Sequence, residues 1–166
     1  MTSTHTPRRA VRAGRWLAAA LVPVTALGAL LLLPDKGEAQ AIGSGESVRA
    51  LFPVCRGSQR ITCVVDGDTI WLRGTKIRIA DIDTPEVSQP ACPRERALGL
   101  RAAERMRELL NAGAFRLEAP ADGRTRDRFG RELRIITRGG QSLGAVLVRE
   151  GLAARWGGPR KAWCGA

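Results

Sequence analysis

The apolar residues Ala102, Ala103, Met106, Leu109 and Leu110 recur at helical spacing. They predict a helix over Arg94–Ala112, with Pro93 near its start and Gly113 past its end, where helices favour those residues. Before this helix the period is shorter. Ile61–Val65 is a β-branched apolar run that ends at Asp66-Gly67, a turn signal. Thr69–Leu72 is a second strand, and Arg73-Gly74-Thr75 turns the chain. Lys76–Ile82 alternates, with Ile77 and Ile79 on one side and Arg78, Ala80 and Ile82 on the other, until Pro85 stops it. Three strands this close together predict an antiparallel meander. After the helix, Phe115–Glu118 and Glu132–Arg138 read as strands, separated by a polar, glycine-containing loop from Asp122 to Gly130. Ser142 caps a short helix, Leu143–Glu150, whose apolar stripe is Leu143, Val146 and Leu147 and which Gly151 closes. The pattern predicts a mainly β domain: a five-stranded OB-fold Greek-key barrel with two helices.

The first forty residues have another character. Arg8, Arg9, Arg12 and Arg15 precede an uncharged run of 18 residues, Trp16 to Leu33, and Ala39-Gln40-Ala41 follows. A basic start, an apolar core and a small-x-small site make an export signal. As a helix the run would span about 27 Å, so a membrane tether through residues 16–33 is the alternative. The expected organisation is a signal peptide or anchor over 1–41, a linker and lead-in over 42–60 that becomes ordered near Cys55, and the domain over 61–166. It would be an extracytoplasmic monomer, periplasmic or secreted, or else held at the inner membrane with the domain outside the cytoplasm.

Charge narrows the partners. From Ile42 onward the chain has 22 bases, 20 of them arginine, against 14 acids, a net +8. Such a surface attracts polyanions: nucleic acid, anionic lipid or acidic polysaccharide. The single histidine is His5, and there is no tyrosine. Without histidine the domain has no Ser-His-Asp triad, no Cys-His pair and no histidine general base. Cys55, Cys63, Cys92 and Cys164 all follow the leader, an even count that favours two disulfides in an exported domain. Three pairings are possible; the expectation is Cys55–Cys63 with Cys92–Cys164.

Any chemistry must come from carboxylates, arginines, serine or threonine, or cysteine, and the placed carboxylates and arginines suggest a site. Asp68 lies between the first two strands, and Asp83, Thr84 and Glu86 lie where the third ends. If these strands are neighbours the two turns meet. Two carboxylates with a backbone carbonyl are hard oxygen donors that suit Ca²⁺ better than zinc or copper. Arg78 is five residues before Asp83, and an odd separation on an ideal strand puts the two on opposite faces. They converge only where the strand bends or ends. Arg131 stands at the mouth of the fifth strand, and two guanidinium forks can clamp a phosphate. Each feature also has an ordinary reading. Asp66-Gly67 is then a hairpin turn, Asp83 and Glu86 cap a turn, Arg131 pairs with Asp127 on the surface, Asp81 is an exposed acid, and Trp71 is core.

Four segments in order resemble the signature blocks of the staphylococcal (micrococcal) nuclease family. They are Val65-Asp66-Gly67-Asp68-Thr69, Arg78-Ile79-Ala80-Asp81-Ile82-Asp83-Thr84-Pro85-Glu86, Asp127-Arg128-Phe129-Gly130-Arg131 and Leu147-Val148-Arg149-Glu150-Gly151-Leu152-Ala153. The resemblance implies an OB-fold nuclease that uses Ca²⁺ to cut DNA and RNA and leaves 3′-phosphates. By matching position, Asp68, Asp83 and the Thr84 carbonyl would bind calcium, and Arg78, Glu86 and Arg131 would be catalytic. Two departures stand out. Only 13 residues follow Ala153, so the family's terminal third helix is expected to be absent, with a Cys92–Cys164 disulfide in its place. The tyrosines that contact nucleotide in the family's type member are missing, which leaves Phe129, Trp156 or Trp163 to stack on a base. The contrasting readings are a non-catalytic OB module that binds single-stranded nucleic acid and an arginine-rich domain that adheres to anionic surfaces.

Overall fold

The computed structural model describes residues 45–159 and 161–165. The expected leader, with the run over 16–33, lies outside the described residues. In chain order the elements are β1 (Ser47–Val48), β2 (Cys63–Asp66), β3 (Thr69–Leu72), β4 (Thr75–Ile79), β5 (Ile82–Asp83), α1 (Pro93–Asn111), β6 (Phe115–Glu118), β7 (Glu132–Arg138), β8 (Gln141–Ser142), α2 (Leu143–Arg149) and β9 (Ala154–Arg155).

The curled sheet runs β1-β6-β7-β4-β3-β2, with β8 on β7. The antiparallel meander β2-β3-β4 forms as its closely spaced strands predict. Its free edge, β4, meets β7 in parallel through Ile77↔Glu132, Arg78↔Leu133 and Ile79↔Arg134, and β7 pairs antiparallel with β6. The mainly β, OB-like barrel is therefore the observed architecture. The lead-in pairs earlier than expected, from Ser47 rather than near Cys55. It runs along β6 at Val48↔Phe115 and reaches β2 at Val54↔Val64, covering both outer strands of the sheet, as exposed edges require. Val48 and Phe52 are fully buried there, the Phe52 and Phe115 rings lie 5.8 Å apart, and Asn111 holds the Phe52 backbone N–H at 2.8 Å and its carbonyl at 3.0 Å.

Helix α1 joins the core with the expected stripe: Ala102, Ala103, Met106 and Leu110 are buried in one cluster with Ile70, Leu72, Ile77 and Ile79. Helix α2 adds Leu143 and Leu147. Trp71, expected in the core, is only partly buried. The disulfides are Cys55–Cys63 and Cys92–Cys164; the second ties the N-cap of α1 to the C-terminal tail. Among the described residues no helix follows α2.

Two expectations are corrected at the end of the third strand. Lys76–Ile82 is not one strand: β4 stops at Ile79, Ala80-Asp81 turns, and Ile82–Asp83 pairs instead with β9 through Ile82↔Arg155 and Asp83↔Ala154. Nor is Asp81 an exposed acid. Its carboxylate accepts the Ser142 hydroxyl at 2.5 Å and its carbonyl accepts the Trp156 N–H at 3.0 Å. These bonds, from β8 and from the residue after β9, hold the chain out of the β4 line.

Gly67 is where the β2–β3 turn, α1 and the end of β5 come closest. A Cβ there would lie 2.7 Å from both Ala102 Cβ and Thr84 Cγ2. Neither atom is the far end of a flexible side chain, so Gly67→Ala is expected to cost roughly 3 kcal/mol as overpacking. Urea unfolding measures it; a midpoint equal to that of the wild type would mean that the turn gives way freely.

Candidate active site

The break at Ala80-Asp81 decides the geometry. Because β4 ends one residue after Arg78, the chain returns Asp83 to the same side. The Arg78 guanidinium then holds Asp68 Oδ2 at 2.9 Å with one nitrogen and Asp83 Oδ1 at 3.1 Å with the other. The first nitrogen also donates to the Ile79 carbonyl at 3.0 Å, and the Trp156 ring lies over the guanidinium at 5.4 Å. Arg78 and Asp68 are buried, whereas the Asp83 side chain is 54% exposed. A buried arginine on a barrel wall needs such partners.

Thr84 completes this group. Its N–H and its hydroxyl both donate to Asp68 Oδ2 at 2.8 Å, and Asp68 Oδ1 accepts the Thr69 hydroxyl at 3.1 Å. The Asp68 carboxylate thus accepts from four donors in β3, β4 and the chain after β5, namely both threonine hydroxyls, the Thr84 N–H and Arg78, while the Asp68 N–H donates to the Asp66 carboxylate at 3.1 Å. The Thr84 carbonyl accepts no hydrogen bond among the described residues.

Glu86 follows Pro85 in the loop that leads to α1 and is exposed. Desolvation by the protein around it, then the charges of Asp68, Asp83 and Glu95, hold its carboxyl above the usual range, and Arg78 only partly opposes them. Burial and then the Asp68 charge push Asp66 up to about 7. Asp68 and Asp83 share the one Arg78 guanidinium and Glu86 stands near them, so the acids outnumber the base, which is the electrostatic setting of a bound divalent cation. Asp68, Asp83 and the open Thr84 carbonyl are hard oxygen donors, so the residues fit calcium. Among the described residues no three or more histidine, cysteine, aspartate or glutamate side chains gather as a metal cluster, so an ion here would draw on those two carboxylates, the carbonyl and water.

Arg131 approaches from the β7 side. Its Nε donates to Asp127 Oδ2 at 2.6 Å, while Asp127 Oδ1 accepts the N–H groups of Arg131 and Phe129 at 3.0 and 2.9 Å. The pairing with Asp127 is thus present, yet it leaves Arg131 in a cleft. Arg78, Arg131, Phe129 and Trp156 line a space of about 520 Å³, and Arg124, Arg126 and Arg128 add further positive charge to its wall. Arg78 belongs to both arrangements: it holds the two aspartates and it lines the cleft. Of the three aromatic candidates, Phe129 and Trp156 are exposed in this cleft; Trp163 is not among its lining residues and stacks with Lys161 at 4.7 Å.

Two carboxylates here were not singled out from the sequence. Asp66 reads as half of a turn signal. Glu95 is the third residue of α1, a position where a glutamate often reaches back to the loop before the helix, and that was the available signal.

Asp66 yields a pH prediction. Its unfolded pKa is near 3.9 and its folded value is about 7. The folded state therefore retains a proton that the unfolded state releases. The stability associated with that proton is full below the unfolded value and is lost as pH rises through the folded one. Asp66→Asn, which keeps an acceptor for the Asp68 N–H, is expected to raise the melting temperature in chelator at pH 8, with the gain shrinking towards pH 4. Melts at both pH values test this, and an equal gain at each would exclude the Asp66 charge as its source.

The sequence profile described as "Staphylococcal nuclease homologue" matches residues 76–160. That span holds Arg78, Asp83, Thr84, Glu86 and Arg131; Asp68 precedes it and joins the group through the contacts above. The chain is 30% identical over 115 residues to the thermonuclease of Staphylococcus intermedius, covering 67% of each chain. It is 34% identical over 103 residues to the micrococcal nuclease of Shigella flexneri, covering 54% of this chain and 53% of that one. It is 38% identical over 94 residues to endonuclease YncB of Bacillus subtilis, covering 54% of this chain and 43% of that one. The chain thus spans about half the length, or less, of the last two relatives.

Proposed function

Because the chain belongs to the staphylococcal nuclease family, we propose that it is a calcium-dependent nuclease that hydrolyses phosphodiester bonds of DNA, RNA or both. Single strands are its preferred substrate, and 3′-phosphate ends are its products. The observation that carries this reading is the double engagement of Arg78, which grips Asp68 and Asp83 while lining the cleft that Arg131 also faces.

In this reading Asp68, Asp83 and the Thr84 carbonyl hold Ca²⁺. When bound, the ion polarises the phosphate and neutralises charge on it. Glu86 orients the attacking water and takes its proton as the water oxygen bonds to phosphorus and the bond to the 5′ oxygen breaks, and that oxygen takes a proton from solvent to leave as a hydroxyl. Its raised pKa makes it a stronger base than a solvated glutamate. Arg78 and Arg131 meet the phosphate oxygens with rigid forks and stabilise the added negative charge of the transition state. No histidine is needed, which fits a domain that has none. Phe129 and Trp156 offer π faces to unpaired bases, the source of the single-strand preference. The two disulfides support a site of action outside the cytoplasm.

The alternative is an OB module that binds a single strand without cutting it. Incubating the purified domain with heat-denatured DNA and Ca²⁺ separates the two. Release of acid-soluble nucleotides with 3′-phosphate ends is expected; retention of intact strands by an inert protein would favour the module.

A further inference from the structure

Glu95 is 8% exposed, yet it belongs neither to the arginine cleft nor to the Asp68–Arg78–Asp83 group. Its carboxylate leaves the first turn of α1 towards the loop that carries Glu86. Oε2 accepts the Ala91 N–H at 2.6 Å, and Oε1 lies 3.5 Å from the Glu86 nitrogen. Its own N–H points to the sulfur of Cys92 at 3.4 Å, the N-cap that is bonded to Cys164. The N-terminal turn of a helix favours an anion, which is how a carboxylate is kept under the loop. One turn further on, on the same face of α1, Gly99 lets the loop rest on the helix. A Cβ there would lie 2.6 Å from the Pro85 carbonyl oxygen, 2.9 Å from Val87 Cγ2 and 3.1 Å from the Glu86 carbonyl oxygen. One helix face thus meets the Pro85–Ala91 loop at its start, at Glu86 and at its end.

We propose that Glu95 is a positioning residue for Glu86: its buried carboxylate, with Gly99 beside it, holds the Pro85–Ala91 backbone so that the Glu86 side chain is presented to the Asp68–Asp83 pair. This role rests on Glu86 acting as described above. Glu95 touches no substrate and works through the loop backbone. Loss of an ordinary helix cap lowers stability and leaves kcat alone. A positioning role has the opposite signature, because displacing a reacting group by about 1 Å lowers turnover on the order of 100-fold.

The test uses the disulfide-bonded protein and the variants Glu95→Ala, Glu95→Gln, Gly99→Ala and Glu86→Gln. Amide hydrogen exchange at Glu86 and Ala91 is read alongside kcat and KM on denatured DNA. Glu95→Ala is expected to speed exchange at both amides at least about 10-fold and to lower kcat on the order of 100-fold with KM little changed. Glu95→Gln keeps an oxygen for the shorter bond to Ala91 and is expected to recover most of kcat. Exchange unaltered in Glu95→Ala, or wild-type kcat despite faster exchange, overturns the proposal. If Glu95→Ala does not fold, Gly99→Ala decides: it lifts the same loop, and wild-type kcat in it has the same overturning force. A protein indifferent to Glu86→Gln overturns the reading of the site itself, and this role with it, whatever the exchange data show.

Discussion

Glu86→Gln is expected to lower kcat on denatured DNA by about 10²–10⁴-fold, the usual contribution of a general base. The amide keeps the size of the side chain and can orient water, but it cannot take a proton. Because Glu86 is exposed and its side chain makes no hydrogen bond among the described residues, the fold should be unaffected, with a melting temperature within about 2 °C of the wild type. Substrate binding should also survive, since the arginines that meet phosphate are untouched. Arg131→Ala should fall in the same direction, by about 10²–10³-fold, with a modest loss of stability because Asp127 loses its main partner. The two variants differ in kind: Glu86→Gln should still bind DNA, whereas Arg131→Ala should bind it more weakly. Steady-state kinetics with filter binding distinguish them, and turnover unchanged in either variant removes that residue from the mechanism.

Chelation is expected to reduce nuclease activity to background, and excess Ca²⁺ to restore it. The effect should also appear without substrate. A cation that binds only the folded state stabilises it by about 2.7 kcal/mol at a hundredfold excess over its dissociation constant, so Ca²⁺ should raise the melting temperature by several degrees. Asp68 and Asp83 converge on one guanidinium, and the acids around them are under-neutralised, so Asp83→Asn should lose both responses together. Asp83 is the better probe: it is half exposed, while Asp68 is buried among four donors whose loss would damage the fold. Activity that persists in EGTA would remove calcium from the reading and leave the arginines to act alone.

Much of the architecture was legible because it depends on local pattern. The meander, both helices and the strands β6 and β7 follow from hydrophobic period and turn residues, which act over a few positions of the chain. The strap from Ser47 to Val54 was not legible. Two strand residues and an isolated bridge have no period to detect, and their pairing partners, Arg116, Phe115 and Val64, are not their neighbours in the chain. The broken third strand was hidden for the same reason: Lys76–Ile82 alternates well, and only bonds from Ser142 and Trp156 to Asp81 turn it aside.

The candidate site divides along this line. Residue type and order alone excluded histidine and tyrosine chemistry, since the domain has neither, and singled out Asp68, Arg78, Asp83, Thr84, Glu86 and Arg131. Whether Arg78 and Asp83 share a side could not follow from spacing, because an ideal strand separates them. Tertiary structure decided it by ending β4 at Ile79 and pairing Ile82–Asp83 with Ala154–Arg155. It also decided which aromatics face the cleft, and it put Glu95 beneath the loop that carries Glu86. Sequence records which groups a chain carries and the period in which it carries them. Convergence of those groups depends on hydrogen bonds and packing between segments far apart in the chain, and here a bend imposed by β8 and β9 brings an arginine and an aspartate together.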